Sequence, residues 1–223
     1  MVRALLEGRK TQTRRILNPQ PFVNGFHFSA EFGDILCHND YLPPATLLRR
    51  IGKGQNSYVA SDLEDGPEGM SGIYVGDRLF VRETWRTHRS WDETKPREIL
   101  ACSRVWYEAD RDNCDQHGKV RVSIHMPRWA SRLTLIVTEV RVERLNDCSE
   151  ADALAEGVRS DRALPDHSCD ERTHSVAGAS GFPTAVEAYR WLWDSINGRG
   201  AWEANPWVVA VSFAVVRRNI DQC

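Results

Sequence analysis

The chain has 223 residues, 41% of them hydrophobic and 27% charged, proportions of a folded protein rather than a disordered one. No run approaches the roughly eighteen apolar residues of a membrane span, and Met1-Val2-Arg3-Ala4-Leu5-Leu6-Glu7-Gly8 meets charge too early for a secretion signal, so a cytoplasmic protein with no membrane partner is expected. Twenty-nine basic against thirty-one acidic residues exclude coating of nucleic acid by bulk charge and leave room for a local basic face.

In chain order, Val2, Leu5 and Leu6 predict a short helix over 2–8 with Gly8 as its stop. Residues 9–17 read as extended, and Asn18-Pro19-Gln20-Pro21 ends the element. From 22 to about 75 the pattern is poor. Phe22, Phe26, Phe28 and Phe32 suit a hairpin; Pro43-Pro44, Gly52-Lys53-Gly54 and the acidic 62–69 read as loop. Strands are predicted at 78–82, at 105–109, through the alternating Val120, Val122 and Ile124, and most clearly over 132–145. In that last strand Leu133, Leu135 and Val137 share a side, and Val140 and Val142 continue after a bulge or register change. The stretch 86–101 reads as loop.

Ser149-Glu150-Ala151-Asp152 opens a short helix ending near Gly157, with Ser149 as cap and Asp152 as the capping-box acid. Residues 159–181 read as loop, Thr184–Ile196 as a helix closed by Asn197-Gly198, and Trp207–Val216 as a final strand. Trp191 and Trp193 lie two apart on that helix, so one packs inward and the other under a loop. The expectation is a mainly β protein with some α: one domain over 1–223, a small, partly closed barrel with covering helices, and loop insertions at about 22–75, 86–101 and 159–181.

Charge is uneven. Residues 1–15 hold Arg3, Arg9, Lys10, Arg14 and Arg15 against Glu7, whereas 147–171 holds eight acids against Arg159 and Arg162. An anionic partner is therefore met at the N-terminal run. The six cysteines read as free thiols. Cys102, Cys114, His117 and His125, or His167, Cys169 and His174, lack the close Cys-x2-Cys pair of a zinc site, and no metal or other cofactor is predicted.

Three stretches carry candidate chemistry. In an extended 9–15, residues 10, 12 and 14 face one way and 9, 11, 13 and 15 the other; lysine and arginine suit phosphate, a threonine hydroxyl suits attack on a carbonyl, and a solvated basic run is the plain alternative. Glu156 ends its helix as an ordinary exposed acid, unless the fold brings it to Lys10 and Thr13 as a general base. Trp129 with Arg128 and Arg132, near Trp106-Tyr107, suits stacking on unpaired bases, and Arg82 and Glu83 suit a pocket mouth, although aromatics in a barrel are more often core.

The Gly8-x-Lys10-x-x-x-Arg14 run, the Gly76-Asp77 strand entry and the helix after the long strand resemble the ASCH domain of the PUA-like superfamily. His125-Met126-Pro127-Arg128-Trp129-Ala130 and Leu192-Trp193-Asp194-Ser195-Ile196-Asn197 resemble uncharacterised phage and prophage proteins of that family. The resemblance implies a β-barrel with a cleft for RNA or a modified nucleoside. One branch, the small bacterial N4-acetylcytidine amidohydrolases, carries Gly-Arg-Lys-Thr-x-Thr-x-Arg, which falls on Gly8, Arg9, Lys10, Thr11, Thr13 and Arg15. By that likeness Lys10, Thr13 and Glu156 are catalytic, and Arg9, Arg14, Arg82, Glu83, Arg128, Trp129 and Arg132 bind substrate. The expected function is hydrolysis of an N4-acylated or otherwise modified cytidine nucleoside; the alternatives are a non-catalytic binder of single-stranded RNA or modified nucleic acid, of phage origin, and a phage assembly accessory.

Overall fold

A computed structural model of the protein describes residues 2–18, 20, 22–23, 47–51, 57–60, 71–112, 114–161 and 173–223. Helix α1 (Val2–Leu6) buries Ala4 and Leu5, and Leu5 joins Leu133 and Phe213 in an apolar cluster. Strand β1 (Gln12–Ile16) follows. Phe22–Val23 (β2), Leu47–Ile51 (β3) and Ser57–Ala60 (β4) form a three-stranded antiparallel sheet inside the stretch expected to be an insertion of loops and a hairpin. The readings at Phe26, Phe28, Phe32, Pro43-Pro44, Gly52–Gly54 and 62–69 lie outside the described residues.

Arg78–Phe80 (β5), Thr134–Arg144 (β8) and Trp207–Val216 (β12) join β1 in the principal sheet, antiparallel throughout, in the order β1-β12-β8-β5. It curls into half a barrel, so the protein is mainly β with few helices. The long strand changes phase as its sequence pattern requires. Opposite β12 the register shifts between Ser212 and Phe213, which pair with Glu139 and Val137, leaving Thr138 as the extra residue of a bulge. One inserted residue resets the alternation, so Val137 and Val140, three apart, both enter the cluster formed with Leu17, Val209 and Val211.

Between β5 and β8 lies a lobe built on Trp85–Arg86 (β6) paired with Trp106–Tyr107 (β7) and on short 3-10 turns. Residues 86–101 are not simply a loop. They supply two such turns and Ile99, which packs with Trp85, Met126 and Ala130. The strand expected through Val120, Val122 and Ile124 does not form. That segment makes a lone bridge from Arg121 to Trp85 and then a 3-10 turn at Ser123–His125. Its alternation is real but inverted: Arg121 is buried with its guanidinium 5.7 Å from the Trp85 ring centroid, and the three apolar residues face outward.

After β8, helix α2 (Glu150–Ala155) opens with the expected reciprocal capping box between Ser149 and Asp152. The 159–181 stretch, expected as loop, contains Arg159–Asp161 (β9), Thr173–Val176 (β10) and Ala179–Phe182 (β11), a second antiparallel sheet in the order β11-β10-β9. Its hairpin turns on Ala177 and Gly178, both at positive φ, a pairing that matches the right-handed twist of the strands. Helix α3 (Ala185–Asn197), capped by Thr184, lays Ala188, Tyr189, Leu192 and Trp193 on Leu145, Val158, Trp202 and Val208. Trp193 is inward, and Trp191 is exposed against Phe182. Among the described residues no group of three or more His, Cys, Asp or Glu is placed to hold a metal; His167 and Cys169 lie outside them.

Candidate functional site

Backbone geometry brings the basic run to the end of α2. After Gly8, at positive φ, the N–H groups of Arg9 and Lys10 both donate to Ala4 O, which folds the chain back over α1. Thr11 N–H then donates to Ala155 O at 2.8 Å, and Phe213 N–H donates to Thr11 O, so the segment is tied to α2 on one side and to β12 on the other. Gly157 completes the junction. At φ +101° it ends α2, and a Cβ there would meet Ala4 Cβ at 3.2 Å and Lys10 Cβ at 3.3 Å.

The parity of an extended chain then sorts the side chains. Lys10, Gln12 and Arg14 are buried together, whereas Thr11 and Arg15 are exposed and Thr13 is partly exposed on the opposite face of β1. Lys10 Nζ donates to Glu156 Oε2 at 2.7 Å and to Glu156 O at 3.0 Å, with both side chains at least 95% buried. Arg14 reaches the other Glu156 oxygen at 3.4 Å, Glu143 at 2.7 Å and Asp152 at 3.2 Å, and Arg141 donates to Asp152 at 2.8 Å. Tyr189 lies beside Glu156; burial first, and then the charge of that carboxylate, raises the phenol far above the ordinary tyrosine range. Three cations and three carboxylates thus neutralise one another, with Lys10, Arg14 and Glu156 buried at the centre and Arg141 at the solvent edge.

Glu156 is also the member of this network that lines a cleft, although its side chain is only 3% exposed. The cleft, of about 360 Å³, lies between α1, the end of α2 and the β10–β11 hairpin. Arg3, Arg9 and Arg159 line it together with Asp161, which accepts from the Ser175 hydroxyl. Lys10 stands behind Glu156, and Arg14 is committed to its carboxylates. Of the three residues carried over as catalytic, the fold brings Lys10 and Glu156 into contact and leaves Thr13 across the strand.

The second group of candidates assembles elsewhere. Arg132 grips buried Glu83 with two bonds of 2.9 Å, reaches Asp110 at 2.7 Å and stacks 3.9 Å over the Tyr107 ring. Trp129 meets Trp85 edge-on at 6.4 Å, Arg128 pairs with Asp221, and Arg82 lies over Phe80 while donating to Ile124 O. None of these five lines the cleft at Glu156. A larger hollow, about 660 Å³, lies on the lobe between Arg86 and His117, but Arg86 is taken by Glu108 and nothing comparable to the Lys10–Glu156 pair faces it.

Sequence reasoning found Lys10, Arg9 and Glu156 but missed Arg3, Arg159 and Tyr189. Arg159 stood out only as a rare cation in an acidic stretch, and Tyr189 carried no signal beyond its inward position on α3. No family model matches the chain, and no curated protein or solved structure is significantly similar to it.

Proposed function

We propose that the protein is an ASCH-type member of the PUA-like superfamily whose cleft hydrolyses the acyl amide of an N4-modified cytidine. What carries this reading is the buried Lys10–Glu156 pair at the wall of a cleft of about 360 Å³ that Glu156 helps to line, within the range of small-ligand sites. The half-barrel sheet and the Gly8-x-Lys10-x-x-x-Arg14 run support the family reading.

In this mechanism a water in the cleft attacks the acyl carbonyl carbon, and Glu156 takes its proton. The tetrahedral intermediate collapses by breaking the C–N4 bond, and the proton passes from Glu156 to the departing N4, giving cytidine and the free acid. Lys10 is a positioning residue: its ammonium fixes the orientation of the Glu156 carboxylate and stays protonated throughout. Negative charge on the carbonyl oxygen develops in the field of the cleft arginines. Thr13, across the strand, takes no part in these steps. The test is a panel of N4-acylated cytidines and their 5′-monophosphates incubated with wild type, Glu156→Gln and Lys10→Met and resolved by chromatography. Cytidine release by wild type, with turnover lost in Glu156→Gln and sharply reduced in Lys10→Met while both remain folded, is expected. A folded wild type that releases nothing overturns catalysis.

The arginines of the cleft favour a second reading, a non-catalytic binder of RNA or modified nucleic acid of phage origin. It predicts RNA binding that weakens steeply with salt and forms no product.

A further inference from the structure

At the mouth of the cleft, two guanidinium groups converge on one oxygen. Arg9 Nε and Nη2 lie 2.7 and 2.6 Å from Glu7 Oε2, and Arg159 Nη2 lies 3.5 Å from the same atom. The third terminal nitrogen of Arg9 is not free to wander: Nη1 donates to Gly157 O at 2.8 Å, beside Glu156. Arg9 is therefore held in place from the cleft side and presents its two-pronged edge outward. That edge matches a carboxylate or a phosphate, and a carboxylate of this chain occupies it. Glu7 is a weakly held occupant, with its side chain 44% exposed. Arg3 lines the same cleft, so three arginines face it against one lining carboxylate besides Glu156, and that one, Asp161, is engaged by Ser175. With Glu7 displaced, the arginines outnumber the lining carboxylates, Asp161 and Glu156, by one, more positive charge than a neutral nucleoside needs.

We propose that the cleft mouth is a phosphate-ester site in which Arg9 and Arg159 form the clamp and Glu7 is an internal anion that the ligand's phosphate displaces. This rests on the reading of the cleft as a cytidine site and narrows its substrate from a nucleoside to a phosphorylated one. Displacement exchanges one anion for another on Arg9, so the phosphate is not held by newly stranded charges, and Glu7 swings into solvent. Glu7 then sets selectivity: an uncharged ligand leaves the Glu7–Arg9 pair shut, and a phosphorylated one opens it.

The probes are cytidine, cytidine 5′-monophosphate and inorganic phosphate, titrated calorimetrically at fixed ionic strength into wild type, Glu7→Gln, Arg9→Lys and Arg159→Ala, each checked for an unchanged melting profile. The monophosphate is expected to bind wild type about tenfold more tightly than cytidine. Glu7→Gln is expected to strengthen monophosphate and inorganic phosphate by about threefold or more and to leave cytidine unchanged. Arg9→Lys keeps the charge but loses the fork, and it is expected to remove most of the monophosphate's advantage, as is Arg159→Ala. A cytidine dinucleotide matching the monophosphate assigns the phosphate to an RNA strand; a dinucleotide binding no better than cytidine assigns it to a free nucleotide. Equal affinity for cytidine and its monophosphate in both wild type and Glu7→Gln, with no inorganic phosphate bound, overturns the clamp. That failure leaves hydrolysis of N4-acylcytidine untouched, and a clamp that binds phosphate stands even where no hydrolysis is found.

Discussion

Glu156→Gln and Lys10→Met cut the same ion pair from opposite ends, and the structure makes their costs unequal. Among the described residues the Lys10 ammonium is paired with Glu156 alone, and its only other polar contact is the carbonyl of the same residue. Neutralising Glu156 strands a buried charge, which costs about 3–5 kcal/mol. The Glu156 carboxylate has further support in Arg14, so Lys10→Met removes one of its two charged partners and costs about 1.5–3 kcal/mol. In the double variant no ammonium is left unpaired and Arg14 keeps Glu143 and Asp152, so it is less destabilised than Glu156→Gln alone. The resulting coupling is on the order of 2 kcal/mol. Urea unfolding followed by tryptophan fluorescence reads all four proteins, provided that the slope with denaturant stays constant. Lys10→Met matching Glu156→Gln, or single costs that simply add in the double variant, would show that the pair is not buried as described.

Two further expectations concern groups around the same network. Burial, reinforced by Asp152 and Glu156 against the charge of Arg14, pushes the Cys148 thiol up to about 12, so at mildly alkaline pH an alkylating reagent is expected to modify exposed Cys102 and Cys223 quickly and Cys148 only as the protein unfolds; peptide mapping that finds Cys148 labelled as fast as Cys102 refutes this. Burial works to raise the Asp152 pKa, but hydrogen bonds from Ser149 and Arg141 and the charge of Arg14 outweigh it and hold the carboxyl well below the usual range. The stability this adds is full above the unfolded value of about 3.9 and is lost as pH falls toward the folded one, so the deficit of Asp152→Asn in urea midpoint is expected at neutral pH and to shrink in acid. A deficit that does not change with pH would mean that the charge contributes nothing.

The sheet was legible wherever one local rule had no competitor. In β8 the apolar residues break step between Val137 and Val140, and one bulge is the only way to keep both inside. Ser149 and Asp152 announced α2 because a capping box is a contact between near neighbours. The same alternation failed at 120–124, since period two shows that residues divide between faces but not which face is buried; there Arg121, stacked on Trp85, took the inside. The strands found within 159–181, Arg-Ser-Asp, Thr-His-Ser-Val and Ala-Ser-Gly-Phe, carry too few apolar residues to betray themselves, whereas those within 22–75 are apolar but short, and glycines and prolines interrupt the sequence around them. In the site, the parity of residues 9–15 placed Lys10 with Arg14 and set Thr13 apart, whereas the Lys10–Glu156 contact spans 146 positions and was reached through family likeness. The interaction of Glu83 with Arg132 shows the converse: two residues read as ligand contacts turn out to satisfy each other.

The order of strands has a consequence for synthesis. β1 finds its sheet partner in β12, the last of the four strands to leave the ribosome, since β12 lies between β1 and β8. At a translation rate of about 5–20 residues per second, the 190 residues between Ile16 and Trp207 take roughly ten to forty seconds to emerge. Through that interval β1 lacks its sheet partner, although the partners of Lys10 and Arg14 in α2 and β8 are already made. Chains halted before β12 are expected to leave β1 without its sheet partner and to be readily cleaved within residues 12–16, while completion of β12 locks the strand in a single late step and leaves Arg15 on the surface.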